Sequence, residues 1–128
     1  MNRPDKAAEI VRRVLKERYN TTATGLPGND DSGSMSAWYI FHSMGFYPNA
    51  GQDIYLISSP VFTKTTINLD GGKVFEVLAP NASDKNIYIA VLVEPVLDMR
   101  KICIQPLQES LFTATSRNQP VHIVRHVK

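Results

Sequence analysis

Gly25-Leu26-Pro27-Gly28-Asn29-Asp30-Asp31-Ser32-Gly33-Ser34-Met35-Ser36-Ala37-Trp38-Tyr39 is the stretch on which the reading of this chain turns. It opens as a Gly/Pro loop, sets three carbonyl-bearing side chains next to one another, and runs straight into an apolar, aromatic segment. Adjacent Asp30 and Asp31 repel each other, so folding alone gives little reason to place them together. Ser34 to Met44 has the length of a short helix, with Ser32 or Ser34 as N-cap and Gly45 in the C-cap position. Its large side chains fall almost all round, which predicts a helix enclosed on most sides. Its N-terminus points back at Asn29-Asp30-Asp31, where orphan N–H groups and the helix dipole favour negative charge.

Upstream, Ala7, Ile10, Val11, Val14, Leu15 and Tyr19 recur at helical spacing, predicting an amphipathic helix over residues 3–19. Asn2 and Asp5 resemble a capping pair, and Arg12, Arg13, Lys16 and Glu17 read as a solvated face. Downstream, from Gln52, the pattern changes to short apolar runs with period two. Strands are predicted at Ile54–Ile57, Thr65–Leu69, Lys73–Leu78 and Ile87–Leu92, with a hairpin turn at Asp70-Gly71-Gly72 and a loop over Pro80–Asp84. Phe46-Tyr47-Pro48 closes the helical segment. Lys101–Ile104 and Pro120–Val124 are strand-like fragments in a stretch that has no glycine after Gly72.

The fold class is therefore α+β in a chain of 128 residues, about one domain long. The net charge of +2 is too small to argue for nucleic acid. It is unevenly spread, +3 over residues 1–19, −5 over 20–99 and +4 over 100–128. An acidic middle suits a cation or a neutral polyol better than a phosphate. Cys103 is the single cysteine, so no internal disulfide forms. No apolar run approaches the roughly 20 residues of a membrane span, and no signal peptide is visible. Asn20-Thr21-Thr22 and Asn81-Ala82-Ser83 are formal glycosylation sequons, a triplet common by chance.

Three uses of Asn29-Asp30-Asp31 are open. The oxygens suit calcium, although the EF-hand alternation is missing. One Asp can serve as general base on a water, as in inverting glycoside hydrolysis. Alternatively, all three side chains bond local backbone and cap the helix. Trp38 and its aromatic neighbours either stack on a sugar or pack a core. His42 reads as a buried, hydrogen-bonded histidine rather than a ligand. His122 and His126 lack the intervening Glu of a zinc motif.

The acidic stretch, together with Gly45-Phe46-Tyr47-Pro48, closely resembles glycoside hydrolase family 92, the calcium-dependent, inverting exo-α-mannosidases. Val11–Leu15, Tyr19, Ser59-Pro60-Val61-Phe62 and Asn86-Ile87-Tyr88-Ile89 also look like that family, so the resemblance covers roughly residues 5–90. It implies the terminal helices of an (α/α)6 barrel followed by an antiparallel β-sandwich-like portion. Residues 1–48 are then the end of the barrel with its active-site loop, 49–92 the C-terminal β portion, and 93–128 a tail of uncertain origin. The match ends near Ala90, and residues 91–128 are expected to come from a frameshift or an unrelated fusion. By position Asp31 matches the family's general base. Asn29 stands where many relatives carry a second Asp; it cannot accept a proton but can orient water. Asp30 is the implied metal contributor, Trp38 the implied substrate contact, and calcium the implied cofactor. The family's general acid is a glutamate well N-terminal to this loop, and neither Glu9 nor Glu17 sits in a matching motif. The resemblance thus implies an α-mannosidase fragment acting on α-mannoside or N-glycan-type carbohydrate, inactive alone, and secreted or periplasmic. Its partner is the remainder of the catalytic domain, or another copy through exposed helix faces. A non-catalytic calcium- or carbohydrate-binding α+β module is the alternative.

Overall fold

The computed structural model describes residues 3–52, 54–92, 101–107 and 124–125. Two helices lead the chain, α1 (Pro4–Glu17) and α2 (Ser34–Met44). Among the described residues seven strands follow: β1 (Phe46–Pro48), β2 (Ile54–Ile57), β3 (Lys64–Asn68), β4 (Val74–Leu78), β5 (Tyr88–Leu92), β6 (Lys101–Leu107) and β7 (Val124–Arg125).

Helix α1 starts on Pro4, whose fixed φ suits a first turn. Asn2 lies outside the described residues, and Asp5 is held by Arg3, whose Nη2 donates to Oδ2 at 2.7 Å. The Arg3 hydrogen bond drives the Asp5 carboxyl down to about 2. The expectation of a solvated basic face fails at Arg12. Its guanidinium is buried, donating to Pro60 O at 3.1 Å and Ser83 O at 2.9 Å. Burial lowers the Arg12 pKa from its usual value, and the carbonyl bonds compensate the lost water. Two loops far apart in sequence are thereby tied to one helix.

Helix α2 ends at Gly45, which takes φ 100° and donates its N–H to Phe41 O and His42 O. The predicted enclosure of α2 is not met by the described residues: only His42 and Ser43 are buried, and Ile40 is 54% exposed. Aromatic residues near the C-terminal half do pack inward. Phe41 meets Phe46 edge-on at 5.6 Å, and His42 stacks on Tyr47 at 4.9 Å. Residues 58–60 are buried beneath this turn, with Ser58 N–H on Gly45 O at 2.8 Å and Val61 N–H on Ser43 O at 2.9 Å.

The strands make two sheets, ordered β1-β2-β7 and β3-β4-β6-β5. β3 and β4 form the expected hairpin, in register from Lys64↔Leu78 to Asn68↔Val74, around a single 3-10 turn at Asp70–Gly72. Two differences from the sequence reading stand out. Phe46-Tyr47-Pro48 is a strand paired with β2, a segment too short for period-two patterning to declare. β4 and β6 run parallel, so the second sheet is not purely antiparallel. β6 and β7 belong to 93–128; the rest of that tail lies outside the described residues, as do Asp53, His122 and His126. Phe46 and Ile57 from the first sheet and Val77 from the second share one buried cluster, against which Phe41 and Met44 of α2 pack. The small core therefore anchors the C-terminal end of α2 and leaves its N-terminal end to the acidic loop.

Candidate active site

The acidic loop is a left-handed turn folded back onto the start of α2. Asp31, Ser32 and Gly33 have φ of 44°, 63° and 92°. Ser34 N–H closes the turn on Asp30 O at 2.8 Å, and Ser34 Oγ donates to the same carbonyl at 3.0 Å. Asp tolerates this region better than most residues; Ser gains little there, so the backbone carries strain at Ser32. Neither Ser32 nor Ser34 caps the helix. Gly33 occupies the N-cap position without a side chain, and Asp30 replaces it from three residues upstream. Asp30 Oδ1 accepts Ser36 N–H at 2.8 Å, and Oδ2 accepts Ser36 Oγ at 2.9 Å. Those bonds, the backbone N–H first, hold the Asp30 carboxyl below the ordinary aspartate range. Asp30 is an ionised latch, with both oxygens in use.

Asn29 and Asp31 flank that latch. Both are exposed, and neither side chain has a partner among the described residues. Trp38, one turn into α2, is half-buried. Its ring stacks on Tyr19 at 5.9 Å with planes 7° apart, and lies 4.3 Å from the His42 ring. Tyr19 in turn donates its hydroxyl to Met35 O at 3.2 Å. Burial raises the Tyr19 pKa, and the Asp30 charge adds to the shift. Tyr19 thus joins the end of α1 to the loop and to Trp38. His42 is buried as expected, but its Nδ1 has no hydrogen-bond partner among the described residues. Desolvation pulls its pKa from 6.5 to about 4.

The loop also depends on Gly25. Asn20 N–H donates to Gly25 O and Gly25 N–H to Thr22 O, both at 3.0 Å. A Cβ on Gly25 would lie 2.0 Å from Asn20 O, so only glycine closes this turn.

Calcium takes six to eight oxygen ligands. Each Asp30 oxygen already accepts one hydrogen bond from Ser36, and no group of three or more His, Cys, Asp or Glu gathers among the described residues. These residues do not make a calcium site by themselves. Glu9 is equally committed: it bridges Lys6 at 2.8 Å and Tyr88 Oη at 3.0 Å, and its pKa is lowered chiefly by Lys6. A groove of about 330 Å³ runs along α1, lined by Glu9, Arg12, Leu15, Tyr39, Val61 and Asp84, and does not include the acidic loop. Ser36, Tyr19 and Arg12 are the residues that sequence reasoning missed. Ser36 is the third helical residue, the usual partner of a capping side chain, which was the available signal.

The sequence profile of the glycosyl hydrolase family 92 catalytic domain matches residues 1–93. The chain belongs to glycosyl hydrolase family 92. Over 90 residues it is 40% identical to a protein of Arthroderma benhamiae described as an uncharacterized secreted glycosidase, covering 68% of this chain and 12% of that one. Its fold matches a family GH92 alpha-mannosidase from Bacteroides thetaiotaomicron, solved with mannoimidazole, at a TM-score of 0.67 and 32% identity. That match covers 83% of this chain and 16% of the mannosidase. A GH92 inverting mannosidase of the same bacterium matches at a TM-score of 0.67 and 31% identity, over 85% of this chain and 16% of that enzyme. This family 92 chain therefore spans about an eighth to a sixth of the length of these relatives. The family 92 match takes in α1, the acidic loop, α2 and β1 to β5, and stops before β6. A hydrolase family does not favour the binding-module reading.

Proposed function

We propose that this chain carries the general-base segment of an inverting exo-α-mannosidase, with Asp31 as the base. What supports the reading is the division of labour in the loop. Asp30 is locked as an ionised latch on Ser36, while Asp31, one residue on, stands free on a strained turn at a helix N-terminus. Strain of this kind collects at functional sites. In the proposed reaction Asp31 takes a proton from a water that attacks the anomeric carbon, and Asn29 orients that water by hydrogen bonding. Trp38, braced by Tyr19, offers its remaining surface to the apolar side of the sugar.

Inverting hydrolysis needs a second carboxyl about 6.5–9.5 Å from the base, as acid to the leaving oxygen. Glu9, tied to Lys6 and Tyr88, is unsuited to that task, so the acid belongs to the remainder of a catalytic domain with an (α/α)6 barrel. Calcium, where that domain uses it, is held mainly by ligands outside these residues, with Asp30 as a contributor through lone pairs that Ser36 leaves open. The name of the Arthroderma benhamiae relative supports passage through a secretory route. Assaying the purified chain with an aryl α-mannoside and calcium tests the incomplete site. Negligible turnover is expected; turnover abolished by Asp31→Ala would refute incompleteness. Calorimetry with calcium alone should give no binding isotherm.

A further inference from the structure

We propose that Asn81 is an N-glycosylation site, and that Asn20, in the chain's other sequon, is not. The two triplets look alike in sequence but differ in what the fold asks of them. In Asn20-Thr21-Thr22 the carboxamide oxygen and the +2 hydroxyl are spent on each other and on local structure, while Nδ2 is left without a partner among the described residues. Asn20 Oδ1 accepts both the N–H and the hydroxyl of Thr22, and Asn20 N–H donates to Gly25 O at 3.0 Å. The motif there is an Asx turn that starts the loop ahead of the acidic stretch.

Asn81-Ala82-Ser83 lies in the loop between β4 and β5, and its neighbours are equally well accounted for. Ser83 O accepts Arg12, Ser83 Oγ accepts Asn86 N–H at 3.2 Å, and Asn86 Nδ2 donates to the Asn81 carbonyl at 2.7 Å. Asp84 faces Arg12 and Lys16. The Asn81 side chain is the exception: it is exposed and has no partner among the described residues. It follows Pro80 in a turn. The loop is pinned through Arg12 to the middle of α1, whereas the acidic loop is tied to Tyr19 at that helix's far end. A bulky, hydrated oligosaccharide at Asn81 therefore displaces no hydrogen bond and stands on a different part of the molecule from Asp31.

The donor class is a lipid-diphosphate-linked oligosaccharide. The amide Nδ2 bonds to the anomeric carbon as the carbon–oxygen bond to the diphosphate breaks. The diphosphate leaves with the electron pair, and one amide proton passes to a base of the transferase. The +2 hydroxyl that such transferases require is Ser83 Oγ, which in the folded chain accepts a hydrogen bond and keeps its own proton free to donate.

This inference rests on the secretory route proposed above, so the test supplies that route independently. The full chain, fused to a secretory leader, is produced in a eukaryotic host and recovered from the medium. Peptide mapping after enzymatic glycan release in heavy-oxygen water marks the modified residue by conversion of Asn to Asp. The mark is expected at Asn81 and not at Asn20, with the glycan mass lost in Asn81→Gln and retained in Asn20→Gln. A secreted chain without a glycan, or one marked at Asn20 instead, would overturn the assignment. Mapping the unsubstituted chain gives the answer even if a variant fails to fold. Export without the added leader is a separate measurement, and its failure bears on the secretory route alone.

Discussion

At the scale of single residues, the acidic loop gives neighbouring carboxylates different surroundings. Asp30 bonds the start of α2, whereas Asp31 is exposed and without a side-chain partner among the described residues, and three consecutive residues with positive φ turn the backbone between Asp30 and α2. Removing the Ser36 hydroxyl (Ser36→Ala) should raise the Asp30 pKa toward the ordinary aspartate value. Carboxyl carbon NMR through a pH titration reads this directly, and an unmoved Asp30 resonance would count against the latch. Ser32→Gly should stabilise the chain by about 0.5–1 kcal/mol in urea, since relief of the left-handed penalty outweighs the extra chain entropy. His42 sets a pH dependence. Its folded pKa, about 4, lies below its unfolded value of 6.5, so the unfolded chain binds the proton first as pH falls. Stability is full above about pH 6.5 and declines down to about pH 4, by an amount on the order of 3 kcal/mol. Asp5, lowered to about 2, adds a later loss at more acidic pH. Trp38 is the single tryptophan and touches the His42 ring, so its fluorescence in urea series at pH 7 and pH 5 follows the transition. His42→Phe should flatten the difference between those two series.

Among the elements, what the sequence made legible follows from periodicity and from backbone chemistry. Strands β2 to β5 lie where alternation placed them, α2 has the predicted ends, and Gly45 caps it because a left-handed C-cap favours glycine. The features that were not legible depend on contacts between distant segments. Arg12 looks like any other cation on a polar helix face until Pro60 O and Ser83 O arrive to receive it. β1 is three residues long and ends in proline, and it exists because Ile57, Leu56 and Tyr55 pair with it. The parallel β4–β6 pair joins strands more than 20 residues apart in sequence, which no local pattern encodes. For the site, the loop, its acidic residues and the helix behind them were visible; Ser36 and Tyr19 as their supports were not. Arg12→Ala should destabilise the chain by about 2–4 kcal/mol, because it strands two partly buried carbonyls. Arg12→Lys should recover only part of that, since an ammonium cannot span both acceptors in the guanidinium geometry. Equilibrium urea denaturation measures each step. A loss below about 0.5 kcal/mol in Arg12→Ala would show that the clamp carries no weight.

For the whole molecule, the exposed apolar side chains are the feature that bears on association. Ile10, Ile40 and Phe62 are each more than half exposed, and Tyr39 and Val61 border the groove beside α1. Contiguous apolar patches on a surface mark association sites, and whether these side chains act as one is read from the behaviour of the isolated chain. Sedimentation of the isolated chain should therefore show concentration-dependent self-association, reduced in Ile40→Lys with Phe62→Ser. A chain that stays monomeric at every accessible concentration would remove the case for a missing partner surface. The relatives are six to eight times longer; on the reading proposed above, this chain supplies the base loop and a separate segment supplies the acid.

The most direct measurement places that loop back in a complete site. Residues 1–93 replace the matching segment of the Bacteroides thetaiotaomicron mannosidase, and kcat on an aryl α-mannoside is compared with and without Asp31→Ala. An active chimera that loses at least about 100-fold in kcat on substitution, as expected for removal of a general base, is the predicted result. An active chimera whose Asp31→Ala variant stays within tenfold of it would contradict the assignment of Asp31.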